Sequence, residues 1–141
     1  MGYKFEDISA GMLAQREIVF TQNDLEAFSV LSKDRAPFHF DDALAVRAGF
    51  REKIVFGILV VSPFSSMLGM EIPGPNTVIQ SLNFNFHRPI YTSEKLDYSV
   101  MVNKSSVSTK TIDLALMISL HDDKSIGALK VSGSARCGFL L

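Results

Sequence analysis

A chain of 141 residues, 47% hydrophobic and 21% charged, has the length and balance of a single domain with one core. Its net charge of −1 provides no basic footprint for nucleic acid, and no run of like charges forms a tail. The longest apolar stretch, "IVFGILVVSPFSSMLGM", is broken by Gly57, Ser62 and Pro63, so it reads as a buried helix and not a membrane span. The segment "MGYKFEDISAG" lacks the apolar centre of a secretory signal, and Glu6 stands where a myristoylation motif wants Ser or Thr. A single cysteine, Cys137, forms no internal disulfide. A reducing, cytoplasmic location is therefore expected, with Cys137 packed in a terminal apolar strand.

"REIVFT" alternates loosely and predicts a first strand over residues 16–21. Thr21, with acids close behind it, starts a helix through "QNDLEAFSVLS", and Leu25, Phe28 and Leu31 are assigned to its buried face. "KDRAP" ends that helix, since the residue before a proline resists the α region. "DDALAVRAGF" is a short second helix, capped by Asp41 or Asp42 and ended by Gly49. Residues 57–70 make a third helix. With no charged face, it is expected to be buried on nearly all sides. "EIPGPN" breaks it.

Four stretches after residue 76 alternate apolar and polar residues, with "TSE", "NKSS" and "HDDK" as turns between them. A strand, helices, a long apolar helix and four antiparallel strands form an α+β layout, a sheet wrapped around a helix. Residues 1–141 show no internal repeat, linker or low-complexity tract.

The segment "DRAPFHFDD" carries the chemistry-bearing residues. Asp34 and His39 lie five positions apart across Pro37. Two readings stand at this point. Asp34 is a turn former after a helix and His39 a half-buried ring, or the two are proton-transfer groups at a pinned spacing. Asp, His and Asp at these spacings, with no second His or Cys nearby, do not form a metal set, and none is assigned. His87 and Arg88 in "HRP" read as a solvated strand end, and His121 as a surface turn residue. No basic stripe accompanies the phenylalanines of "FNFHRP", so they read as core or dimer contacts and not as a base-stacking platform.

The run "FSVLSKDRAPFHFDDALAVRAGFREKIVFGILVVSPFSSMLG" resembles the MaoC-like dehydratases and (R)-specific enoyl-CoA hydratases, which have the hot-dog fold. The resemblance rests on Asp34, Pro37, His39, Asp41, Gly49-Phe50 and Gly57, and on "QSLNFNFHRPI" further along. Three positions depart from the family pattern. Ala36 replaces an Asn, Lys33 a Gly, and Phe56 a residue that is often His.

The resemblance implies a hydro-lyase that adds water to trans-2-enoyl thioesters or removes it from (3R)-hydroxyacyl thioesters. The substrate's carrier would be coenzyme A or acyl carrier protein, with no separate cofactor. It assigns Asp34 and His39 to the two proton transfers, and Gly57 and Ser62 to the thioester oxygen and substrate, Ser62 having the bland alternative of a backbone bond within its helix. It also implies a homodimer, because the open edge of a hot-dog layer calls for a partner that completes the substrate tunnel. The alternatives are a hot-dog acyl-thioesterase, or a non-catalytic subunit that binds acyl thioesters.

Overall fold

The computed structural model describes residues 2–141. Five strands form one antiparallel sheet: β1 (Leu13–Ile18), β2 (Thr77–Phe86), β3 (Leu96–Ser106), β4 (Thr111–Leu120) and β5 (Leu129–Phe139). Their order across the sheet is β1-β3-β4-β5-β2. Alternation in the sequence sets the two faces. Leu96, Tyr98, Val100 and Val102 of β3 are buried beside Ile112, Leu114, Leu116 and Ile118 of β4, and the register places Tyr98 opposite Ile118 and Val100 opposite Leu116. In β2, Ile79 and Leu82 stand three apart yet face the same side, because a bulge between Ile79 and Ser81 shifts the register.

Two boundaries differ from the sequence reading. The first strand pairs through Leu13–Ile18, upstream of residues 16–21, and Val19 and Phe20 lead instead into the next helix. "NKSS" stays inside β3, and the reversal falls on residues 107–110, where Lys110 takes a left-handed φ of 55°.

Helix α1 (Gln22–Ser32) starts as its sequence predicts. Thr21 Oγ1 accepts from the Asp24 N–H, and the Asp24 carboxylate accepts from the Thr21 N–H, a reciprocal cap. Leu25 and Ser29 are buried, but Leu31 is 82% exposed. At about 100° per residue Leu31 lies roughly a third of a turn away from Leu25, so it cannot share that face. Helix α2 (Asp42–Arg47) has Asp41 as its cap and is followed by Gly49 at φ +99°, both as expected.

The apolar helix departs most from expectation. It consists of α3 (Gly57–Val61), α4 (Pro63–Ser66) and a wide turn at Met67–Glu71. Pro63 has no N–H for the Leu59 carbonyl. The Ser62 hydroxyl (2.8 Å) and backbone N–H (3.1 Å) both donate to that carbonyl instead. Nor is the helix buried all round. Val60, Phe64, Met67 and Leu68 pack under the sheet, while Ile58 is 68% and Met70 75% exposed. A sheet of one chain covers one side of a helix, and apolarity around the whole circumference could not reveal which side stays open. Two contacts fix it. The buried Tyr98 hydroxyl donates to the Val60 carbonyl, and Arg16 of β1 reaches Ser66 and Glu71.

Candidate active site

The turn after α1 is assembled from short polar contacts. Lys33 takes a left-handed φ of 64° and closes the helix. The buried Ser29 hydroxyl donates to the Asp34 carbonyl (2.8 Å), and Asp34 Oδ1 accepts from the Ala36 N–H (2.9 Å). Arg35 donates to Ser29 Oγ (3.2 Å) and lies 5.1 Å over the Phe40 ring. Pro37 then opens a single 3-10 turn, Pro37–His39, with its preset φ at the first position. Asp41 Oδ1 accepts from Leu44, and Asp42 Oδ1 from the Lys53 N–H, so both acids serve the backbone.

His39 is held from far along the chain. Its Nδ1 lies 2.8 Å from the Ile54 carbonyl, and its ring stacks on Phe56 at 4.0 Å. A carbonyl only accepts, so Nδ1 carries the proton and Nε2 is the nitrogen left for a molecule beside the ring. Phe56 is buried against Phe28 and Phe40. That aromatic surround suits the phenylalanine at this position.

A cavity of about 330 Å³ opens beside this ring. His39, Phe50, Ile54, Gly57, Phe86 and Arg88 are among the residues that line it, and no carboxylate does. Gly57, the first residue of α3, therefore shares one chamber with His39. A methyl group added at Gly57 would meet the Phe86 ring at 3.4 Å, an ordinary contact, so packing within the chain does not demand a glycine there.

Asp34 and Ser62 do not line the cavity. The Asp34 carboxylate is exposed and turned onto its own backbone, and the Ser62 hydroxyl serves Leu59. Conversely, His87 and Arg88 do line it. Their amides both point to the Lys130 carbonyl, which folds "HRP" back over the cavity, and His87 Nε2 lies 2.7 Å from Ser132 Oγ. The alternation of "NFNFHRP" stops at Phe86, but the sequence does not say which way the chain turns next.

Elsewhere, His121 joins a surface cluster. Its Nδ1 is 2.9 Å from Asp97, and Glu17 stands close enough that one ligand atom from each of the three lies within 4.8 Å of the others. Sequence spacing hid this group, which comes from three separate segments. Cys137 is packed in the core, where burial pushes its thiol up to about 11.

The chain belongs to the MaoC like domain family, whose pattern matches residues 4–122, and its fold is the α+β hot-dog. It is 28% identical over 130 residues to an (R)-specific enoyl-CoA hydratase of Aeromonas caviae, across 92% of this chain and 94% of that protein. It is 34% identical over 89 residues to a mitochondrial 3-hydroxyacyl-[acyl-carrier-protein] dehydratase of Arabidopsis thaliana, across 63% of this chain and 52% of that protein. The solved (R)-hydratase from A. caviae superposes with a TM-score of 0.86 at 28% identity, covering 95% of this chain and 98% of its own. An R-hydratase from Pseudomonas aeruginosa shares the fold, with a TM-score of 0.84 at 24% identity over 96% of this chain and 84% of its own.

Proposed function

We propose that this protein is a hydro-lyase that interconverts trans-2-enoyl and (3R)-hydroxyacyl thioesters. The observation that carries the reading is the chamber in which His39, with Nδ1 fixed on a carbonyl, faces apolar walls beside the start of α3. Its relatives named as hydratase and dehydratase support the same reaction.

The reaction is redox-neutral and needs two proton movements. Water loses a proton as its oxygen bonds to the β-carbon, and the α-carbon gains one. In the proposed arrangement Asp34 accepts the proton that water loses and hands it on to the α-carbon, while His39 Nε2, which bears no proton when Nδ1 does, accepts the water's other hydrogen and aims its oxygen at the β-carbon. The thioester oxygen, where charge builds, takes a hydrogen bond from the Gly57 N–H, an amide that its position at the helix start leaves without an intrahelical acceptor. Ser62 was assigned to the substrate by resemblance. With its hydroxyl on Leu59, we place it in support of the helix break. Arg88 and His87 at the cavity suit the phosphate of a coenzyme A or acyl-carrier-protein arm.

We further propose that two copies pair along β2. That strand has only β5 as a neighbour among the described residues, and Val78, Leu82 and Phe86 along it are about half exposed. Pairing there would cover the open side of the α3–α4 helix and extend the chamber. Light scattering is expected to give twice the chain mass.

Crotonyl-coenzyme A tests the activity, by loss of its enoyl-thioester absorbance together with formation of the (3R)-alcohol. Release of free thiol instead would mark a thioesterase. No turnover on short or long enoyl thioesters would leave the non-catalytic, thioester-binding reading, which the absence of Asp34 from the chamber and the presence of Ala36 favour.

A further inference from the structure

Lys130 is 6% exposed. Taking an ammonium group out of water is costly unless it is paired and hydrogen-bonded. Here it is both. Its Nζ lies 3.4 Å from a Glu94 oxygen and donates to the Pro89 carbonyl at 2.9 Å. The other Glu94 oxygen accepts from the Tyr91 N–H at 2.8 Å. The pair therefore holds the segment 89–91 at both ends, by the carbonyl of its first residue and the amide of its last.

Between those clamps, the Ile90 carbonyl accepts from the Val55 N–H at 2.8 Å. Val55 adjoins Ile54, whose carbonyl holds His39 Nδ1 at 2.8 Å. Pro89, Ile90, Ile54, Val55 and His39 all line the chamber, whereas Lys130 and Glu94 stand behind its wall. Core stability alone does not call for charge here, since apolar residues of similar volume often replace a buried ion pair without loss. What apolar side chains cannot do is fix the direction of a carbonyl and an amide.

We propose that the Lys130–Glu94 pair is a positioning device for His39. It sets the peptide planes of residues 89–91, from which residues 54–55 hang, so that the Ile54 carbonyl stays aimed at Nδ1 and Nε2 stays free for the chemistry. Lys130 and Glu94 are positioning residues, since neither touches the chamber. The kinetic half of the test rests on the hydro-lyase reading, and the spectroscopic half does not.

Lys130→Met alone leaves Glu94 buried without a counter-charge and is expected to unfold at a lower temperature. The test therefore uses Lys130→Met with Glu94→Gln, and as a second version Lys130→Leu with Glu94→Met, reading whichever melts within a few degrees of wild type. Ring-nitrogen NMR, with His39 assigned against His39→Ala, reports the tautomer at a pH where the ring is neutral. Wild type is expected to show Nδ1–H alone, and the folded double variant a mixture with Nε2–H. In the same variant kcat for crotonyl-coenzyme A should fall about tenfold with KM changed less than about twofold, the pattern of a misaimed catalytic group. An unchanged tautomer in the folded double variant overturns the proposal, whatever the rate does. If wild type hydrates nothing, the hydro-lyase reading falls, and the tautomer comparison still decides the role of Lys130.

Discussion

The two ends of the turn from Asp34 to His39 are held by different kinds of contact. His39 is gripped from a distance, by a carbonyl fifteen residues on and by a stacked ring from the foot of α3. Asp34 is held by its immediate neighbours: Ser29 on its carbonyl, Ser32 on its amide and Ala36 on its carboxylate. The imidazole is a fixed point in a largely apolar wall, while the acid stands exposed on a local turn. A group held only locally can be re-aimed by a few backbone torsions, so the turn is fixed at its histidine end and adjustable at its acid end. In the proposed mechanism, substrate or a second copy completes the acid side.

Substitutions at the two ends test this contrast most strongly. His39→Ala is expected to lower the hydration rate by about a hundredfold or more, the usual share of a general acid–base group. Asp34→Asn keeps an oxygen for the Ala36 N–H, so the turn survives and the loss, again about a hundredfold, reports chemistry. Because the two act on one water, the double variant should be little slower than the slower single one. Full activity in Asp34→Asn would leave His39 working without the acid. Circular dichroism on each variant separates a lost turn from a lost catalyst.

Gly57→Ala comes next. The added methyl meets only the Phe86 ring at ordinary distance, so the melting temperature should hold while turnover drops about tenfold, as the methyl crowds the thioester oxygen. A rate equal to wild type would remove the Gly57 amide from the mechanism.

A gain of similar size is expected on the acid side. Ala36 stands where the resemblance expects an amide, and the side chains of Arg35 and Ser62 do not replace it. Arg35 is engaged by Ser29 and Phe40, and Ser62 by Leu59. Ala36→Asn should raise turnover about tenfold, the worth of one hydrogen bond formed in the transition state. An unchanged and substantial rate would show that this position does not limit the chemistry.

The smallest effect lies far from both ends. The hydrogen bond to Asp97, aided by the charges of Asp122 and Glu17, raises the His121 pKa above its ordinary value. A raised folded-state pKa adds stability that is complete below the unfolded value of about 6.5 and fades as pH climbs through the folded one. His121→Gln should therefore melt slightly below wild type at about pH 5.5, with the gap closing toward about pH 9, and both should hydrate equally well. A gap that widened with pH would reverse the sign of this interaction.

What the sequence revealed follows the reach of each interaction. The Thr21 cap, the Asp41 cap, the Gly49 stop and the alternation of β3 and β4 are local, and all were legible. Spacing and resemblance singled out Asp34 and His39, and of the two only His39 lines the chamber. The partners that orient His39 were not legible, because Ile54 becomes its neighbour only when the chain folds back, and Lys130 belongs to β5 while Glu94 lies just before β3. Leu31 was misassigned by an angle that six residues of helix make unavoidable. The broken apolar helix was half legible. Pro63 was visible, but the sequence left Ser62 open between a substrate contact and a backbone bond within its helix, and the structure shows the bond.

The strand Thr77–Phe86 carries no charged residue in its ten positions and ends the sheet. Natural edges are usually guarded by lysine, proline, a bulge or a covering loop, and here the bulge at Ile79–Ser81 stands without any charge beside it, leaving an edge that is a template for another extended chain. Under the proposed pairing, newly made copies face a race between self-association and indiscriminate strand addition, and the winner depends on concentration and time. Refolding by slow dilution should yield soluble protein, while a rapid jump to high concentration should precipitate it. A single lysine on the outward side of that strand would improve recovery and, if the proposed pairing is right, abolish the assembled form.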